Sequence, residues 1–114
     1  MPRTGIGING NKMKPDIKKF KLKSEVLLYP GMAGWHFASV PKKESAEIKK
    51  IFGALAGGWG SLPVDVTIGK TRWKTSIFPD KKTGTYLLPL KADVRKKESI
   101  FAGDTIGFSI EIRV

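Results

Sequence analysis

The chain has 114 residues, 40% hydrophobic and 27% charged, with 21 Lys+Arg against 10 Asp+Glu and a net charge of +11. That is one domain's worth of sequence, able to bury a single core without staples. With no cysteine and one histidine, disulfides, thiolate zinc sites, iron–sulfur clusters, cysteine nucleophiles and multi-histidine metal sites are excluded.

No apolar run approaches the ~18 residues of a membrane span, and the N-terminus lacks the apolar core of a secretory signal. A soluble, basic domain without a membrane partner is therefore expected. Absence of cysteine suits a reducing cytoplasm. Neither a metal nor a cofactor is expected.

In chain order, residues 1–24 carry seven basic side chains and one acid, Asp16. Residues 1–18 read as a flexible basic tail ahead of a single domain over residues 19–114, because the tail has no apolar period to offset the entropy of ordering. Gly5-Ile6-Gly7-Ile8-Asn9-Gly10 matches G-x-G-x-x-G. It has no strand before it and no helix after it, so a Gly-rich tail is the simpler reading.

From Lys19, apolar and charged residues alternate: Phe20, Leu22, Ser24, Val26 and Leu28 against Lys21, Lys23, Glu25, Leu27 and Tyr29. Period two predicts a half-buried strand. A loop at Pro30-Gly31-Met32-Ala33-Gly34 leads to a second strand over residues 35–40. Pro41 then opens a helix. Ile48, Ile51, Phe52 and Leu55 form its apolar stripe, and Gly53 is the expected cap. Ile48, Ile51 and Phe52 are expected to pack over one barrel opening.

After Gly57-Gly58-Trp59-Gly60, Val64, Val66 and Ile68 alternate with Asp65 and Thr67. Gly69-Lys70 turns the chain into a strand in which Thr71, Trp73, Thr75 and Ile77 oppose Arg72, Lys74 and Ser76. A turn at residues 79–84 precedes a strand over 85–88, and a short helix is predicted over 91–98. In the last strand Ile106, Phe108, Ile110, Ile112 and Val114 face one way. Six short strands and two short helices predict a mainly β fold, a small six-stranded barrel. Trp73, Ile106, Phe108, Ile110 and Ile112 are expected among its most buried residues.

Five segments stand out together: Gly34-Trp35-His36-Phe37, Gly58-Trp59-Gly60-Ser61-Leu62-Pro63-Val64, residues 71–79 (TRWKTSIFP), residues 84–91 (GTYLLPLK) and Ala102-Gly103-Asp104-Thr105. In these the chain resembles an uncharacterised bacterial and archaeal family whose members are labelled YdeI/OmpD-associated or bacteriocin-protection proteins. The resemblance spans about residues 19–114. It implies a double-split β-barrel, an architecture shared with DNA-binding domains of the AbrB and MazE type. It implies no established activity and no catalytic residues.

The residues that could carry chemistry are few. Lys70, Arg72 and Lys74 alternate on one strand face about 6–7 Å apart. They are candidates for contact with nucleic acid or another polyanion; a solvated outer face is the competing reading. Lys91 and Arg95, i and i+4 on the second helix, are a candidate anion clamp. Trp35, His36 and Trp59 are pocket candidates. His36 alone could transfer protons near neutral pH, yet no spacing selects a catalytic triad. Alternation places Trp73 opposite Arg72, which argues against a nucleic-acid stacking surface on that strand.

The leading expectation is a non-enzymatic binding module for an anionic partner, nucleic acid first, as a monomer or homodimer. The alternatives are a small-ligand or enzymatic barrel with a pocket near His36 and Trp59, and a stress-protective domain that works through protein contacts.

Overall fold

A computed structural model describes residues 18–29 and 34–113, with the Trp59 side chain left aside. Residues 1–17 of the basic tail, its Gly-rich hexapeptide included, lie outside the described residues; Lys18, the last residue assigned to the tail, accepts from Ile112 N at 2.9 Å at the start of β1. The elements are β1 (Lys19–Leu28), β2 (His36–Ser39), α1 (Lys42–Phe52), β3 (Leu62–Ile68), β4 (Thr71–Asp80), β5 (Thr85–Pro89), α2 (Ala92–Glu98) and β6 (Thr105–Ile112). Two 3-10 turns, Gly53–Leu55 and Gly58–Gly60, join α1 to β3. The strands close into an antiparallel barrel in the order β1-β2-β5-β4-β3-β6. The six strands and two short helices expected from hydrophobic period are all present, and no described helix is long and apolar enough to cross a membrane.

The barrel closes through two long strands that change partners. Residues 19–25 of β1 pair with β6, whereas residues 26–28 pair with β2 on the other edge. In β4, residues 71–77 run along the length of β3, and residues 78–80 pair with β5. Each long strand therefore has a stretch with a strand neighbour on one edge only, which splits the barrel wall in two places. α2 leaves the end of β5 and lies beside the split in β4. There Thr71 Oγ1 donates to Glu98 Oε2 at 2.6 Å.

Alternation explains the core. On β3, Leu62, Val64, Val66 and Ile68 are buried, and on β6 so are Ile106, Phe108, Ile110 and Ile112. These meet Leu22 and Val26 of β1 and Leu88 of β5 in one continuous cluster. The Gly69-Lys70 turn is tight because Gly69 takes a φ of +56°, which a side chain would resist.

Two core expectations are corrected. Ile48 and Phe52 of α1 are buried, but Ile51 is 41% exposed and Leu55 is exposed too. The buried face of α1 is instead completed by Ser45, one turn before Ile48. Ser45 Oγ donates to Val40 O and accepts from Tyr86 N, each at 2.9 Å. Val40 N meanwhile donates to Tyr86 O at 2.8 Å. A helix hydroxyl thus inserts where β2 and β5 would otherwise exchange their next hydrogen bond. It pairs two buried backbone groups that have no access to water.

The second correction concerns Trp73, which is half-buried rather than fully buried. Its stretch of β4 has β3 on one side and the split on the other, so one side of the indole packs on the core and the other meets open space.

Candidate functional site

The split beside β4 is a cleft of ≈ 410 Å³. Three stretches distant in sequence build it: the start of β2, the free edge of β4, and the β5–α2 junction. Their side chains include Trp35 and His36, Trp73 and Lys74, and Lys91 and Arg95. Among the described residues that line it there is no carboxylate. A second cleft of ≈ 460 Å³ shares His36, Ala92 and Arg95 with the first and continues past Lys96 to Phe101. Among the described residues no carboxylate lines this one either.

Backbone groups hold the site in place. Arg95 Nε donates to Leu90 O at 3.0 Å, and Arg95 Nη2 reaches Gly34 O at 3.5 Å. His36 Nδ1 donates to the same Gly34 carbonyl at 2.9 Å. Since a carbonyl only accepts, this bond fixes the proton on Nδ1 and leaves Nε2 as the free ring position. Leu90 N donates in turn to His36 O at 2.9 Å, tying the β5–α2 junction to β2.

Trp35 is 50% exposed. Its ring lies against Phe37, with centroids 5.8 Å apart and planes at 35°. Phe37 is itself buried and takes Tyr29 edge-on from another direction, at 5.3 Å and 67°. The indole therefore rests against one buried ring while half of its surface remains open.

The basic residues singled out in the sequence are distributed among three places. Lys74, Lys91 and Arg95 meet in the first cleft together with Trp35 and His36. Lys70 sits in the β3–β4 turn, not on the strand. Arg72 points over the outer face of β3, β4 and β6, 3.8 Å from Asp65, and Arg113 approaches the same carboxylate at 3.4 Å. A shallow saddle of ≈ 290 Å³ there also includes Lys19 and Lys21, but its cations are interleaved with Asp65 and Glu111. Arg72 and Lys74 share the outer face of β4, where Lys74 stands opposite Asp65 and also lines the first cleft; Lys70 lies off that strand, in the turn. The Trp59 side chain lies outside the described residues.

Strand alternation left one relationship hidden. Trp73 and Lys74 are consecutive, so they sit on opposite faces of a sheet, yet both line the cleft. Alternation separates the two faces of a sheet; at an edge without a strand neighbour, a cleft is open to both. At this edge an aromatic and a cation therefore meet in one cleft, although Trp73 and Arg72 remain on opposite faces of β4. The signal that could have found it is the second helix following β5 so closely, which brings Lys91 and Arg95 to the gap.

Among the described residues, no group of three or more His, Asp or Glu could hold a metal ion. Asp104 has a local role: its Oδ2 accepts from Phe101 N at 2.8 Å and closes the turn into β6.

Fold and cleft together define a small closed β-barrel domain of basic character with a carboxylate-free groove beside one split strand. Residues 23–110 match the family described as Domain of unknown function (DUF1905), and the chain belongs to that family. No curated protein matches it.

Proposed function

We propose that the domain is a non-enzymatic binding module for an anionic partner, with nucleic acid the first candidate. One observation carries this reading: Lys74, Lys91 and Arg95 converge on a cleft whose lining includes no carboxylate, in a chain of net charge +11. Elsewhere on the barrel cations face acids, as Arg72 and Arg113 face Asp65. Lys91 and Arg95 meet no carboxylate among the described residues lining the cleft, whereas Lys74 stands opposite Asp65 in the β3–β4 register; the balance of charge in the cleft favours an anion. The resemblance to YdeI/OmpD-associated and bacteriocin-protection proteins, and to the architecture of AbrB and MazE type domains, belongs to this reading by analogy of fold alone.

Catalysis is the weaker reading. His36 spends Nδ1 on a backbone carbonyl; among the described residues no carboxylate lines either cleft to orient it, and the hydroxyls that share a cleft with it are Thr75 in the first and Ser99 in the second.

The test is an anisotropy titration of duplex DNA, single-stranded DNA and RNA at low salt. Binding is expected to weaken as salt rises, with a log–log slope of about −0.9 per phosphate contacted on a duplex and about −0.7 on a single strand. No binding to any of them at low salt refutes the nucleic-acid reading. The cleft volume favours one second reading, since ≈ 410 Å³ lies within the range of small-ligand pockets. Saturable binding of a small anion that ignores salt would establish it.

A further inference from the structure

Resting on the proposal that this cleft takes an anionic partner, the geometry points to single-stranded nucleic acid as that partner, with an unpaired base stacked on Trp35 and its flanking phosphates held by Lys74, Lys91 and Arg95. The first observation is the indole itself. Trp35 is half exposed beside these cations and is propped on the buried ring of Phe37. Stacking on a ring already held in place costs little ordering entropy, and every base offers a π-face.

The second observation is repetition. Two clefts join through His36 and Arg95, and each contains both ring and cation: Trp35 and Trp73 with Lys74 and Lys91 in one, Phe101 with Lys96 in the other. A nucleic-acid strand repeats in the same way, one phosphate and one planar base per nucleotide. Lys91 precedes α2 as its extended cap and Arg95 lies four residues on, both lining the first cleft, so the pair can hold one phosphate or two adjacent ones. Arg95 commits two of its five N–H donors to Leu90 and Gly34. The remaining donors are left for a phosphate, on a guanidinium that the two carbonyls already orient.

The third consideration excludes a duplex from this mode. Paired bases are stacked on one another and cannot offer a face to Trp35, whereas unpaired bases can. An acidic polypeptide would satisfy the cations but supplies no planar ring beside each charge.

The experiment uses the whole chain and fluorescein-labelled decathymidylate at low salt. An abasic sugar–phosphate decamer serves as the charge-matched control, and a duplex of equal length and polyglutamate serve as competitors. Decathymidylate should bind about fivefold or more tightly than the abasic strand. Trp35→Ala should abolish that preference, and Trp35→Phe should keep part of it. Lys74→Gln and Lys91→Gln should weaken both strands alike and each lower the salt slope by about 0.7. Lys19→Gln, on the saddle formed by β1, β3, β4 and β6 and outside both clefts, should leave the base preference unchanged. Equal binding of the abasic strand overturns the inference while leaving an anion-binding module standing. So does a base preference that survives Trp35→Ala, or competition by the duplex or polyglutamate as strong as by decathymidylate. Failure of all these polyanions to bind overturns both readings.

Discussion

His36 and Arg95 share one acceptor: the Gly34 carbonyl receives His36 Nδ1 at 2.9 Å and Arg95 Nη2 at 3.5 Å. The bond to Arg95 crosses from α2 to Gly34 just ahead of β2, so the backbone beside Trp35 and the helix that carries Arg95 are positioned together. Arg95→Gln should therefore have two effects. It should weaken anion binding, and it should lower the melting temperature by roughly 4–8 °C, as expected for about 1 kcal/mol in a domain of this size. Lys91→Gln, which removes charge without this backbone contact, should weaken binding with little change in melting. Equal loss of stability in both variants would show that Arg95 has no holding role.

Ser45 makes a sharper stability prediction. Ser45→Ala would strand the Val40 carbonyl and the Tyr86 amide, both now paired to its hydroxyl. Each unsatisfied buried group costs about 1–3 kcal/mol. Denaturant unfolding should show a loss of at least about 2 kcal/mol, more than expected for an exposed helical serine. A loss below about 0.5 kcal/mol would mean that the two backbone groups re-pair directly.

The two isoleucines of α1 should behave oppositely. Ile48 is fully buried and Ile51 is 41% exposed. Ile48→Ala should cost about 2–5 kcal/mol through lost burial and a cavity. Ile51→Ala should fall within about 0.5 kcal/mol of the parent. Chemical denaturation of the two single variants checks the orientation of the helix.

Gly69→Ala should destabilise for two separable reasons. Its φ of +56° is unfavourable for a side chain, by about 1–2 kcal/mol, and the new Cβ would run into the Glu98 carboxylate. Combining it with Glu98→Ala should recover the steric part but not the backbone part. The double variant also loses the bond from Thr71 to Glu98, so the comparison is made against Glu98→Ala alone. Full additivity of the two substitutions would rule out the steric contact.

Alkaline stability should depend on Tyr86. Burial raises the pKa of its phenol above the ordinary value near 10. The unfolded chain therefore loses this proton at lower pH than the folded one. The contribution to stability is fully present below the unfolded pKa and is lost as pH rises through the folded pKa. Melting curves of the parent and Tyr86→Phe should run in parallel up to about pH 9 and converge or cross above about pH 10. Parallel behaviour through that window would show that the phenol titrates alike in both states.

Period two in the sequence determined which faces of β3 and β6 enter the core. Every second residue from Leu62 to Ile68 and from Ile106 to Ile112 is buried, because a pleated strand with one covered face leaves no other place for them. Gly69 likewise marked its turn, and the excess of Lys and Arg was plain from composition.

Tertiary structure alone decided the site. Residues 34–36, 73–75 and 89–95 become neighbours only because β2 and β4 both pair with β5, and β4 then parts from it. Alternation describes a strand flanked on both edges and says nothing about where a flank ends. That is why Trp73, placed in the core by alternation, is half-buried at a cleft, and why Lys74, on the same outer face as Arg72, also lines that cleft. Ser45 escaped notice for the same reason: its value lies in two backbone groups of other strands, and only the closed barrel brings them within its reach.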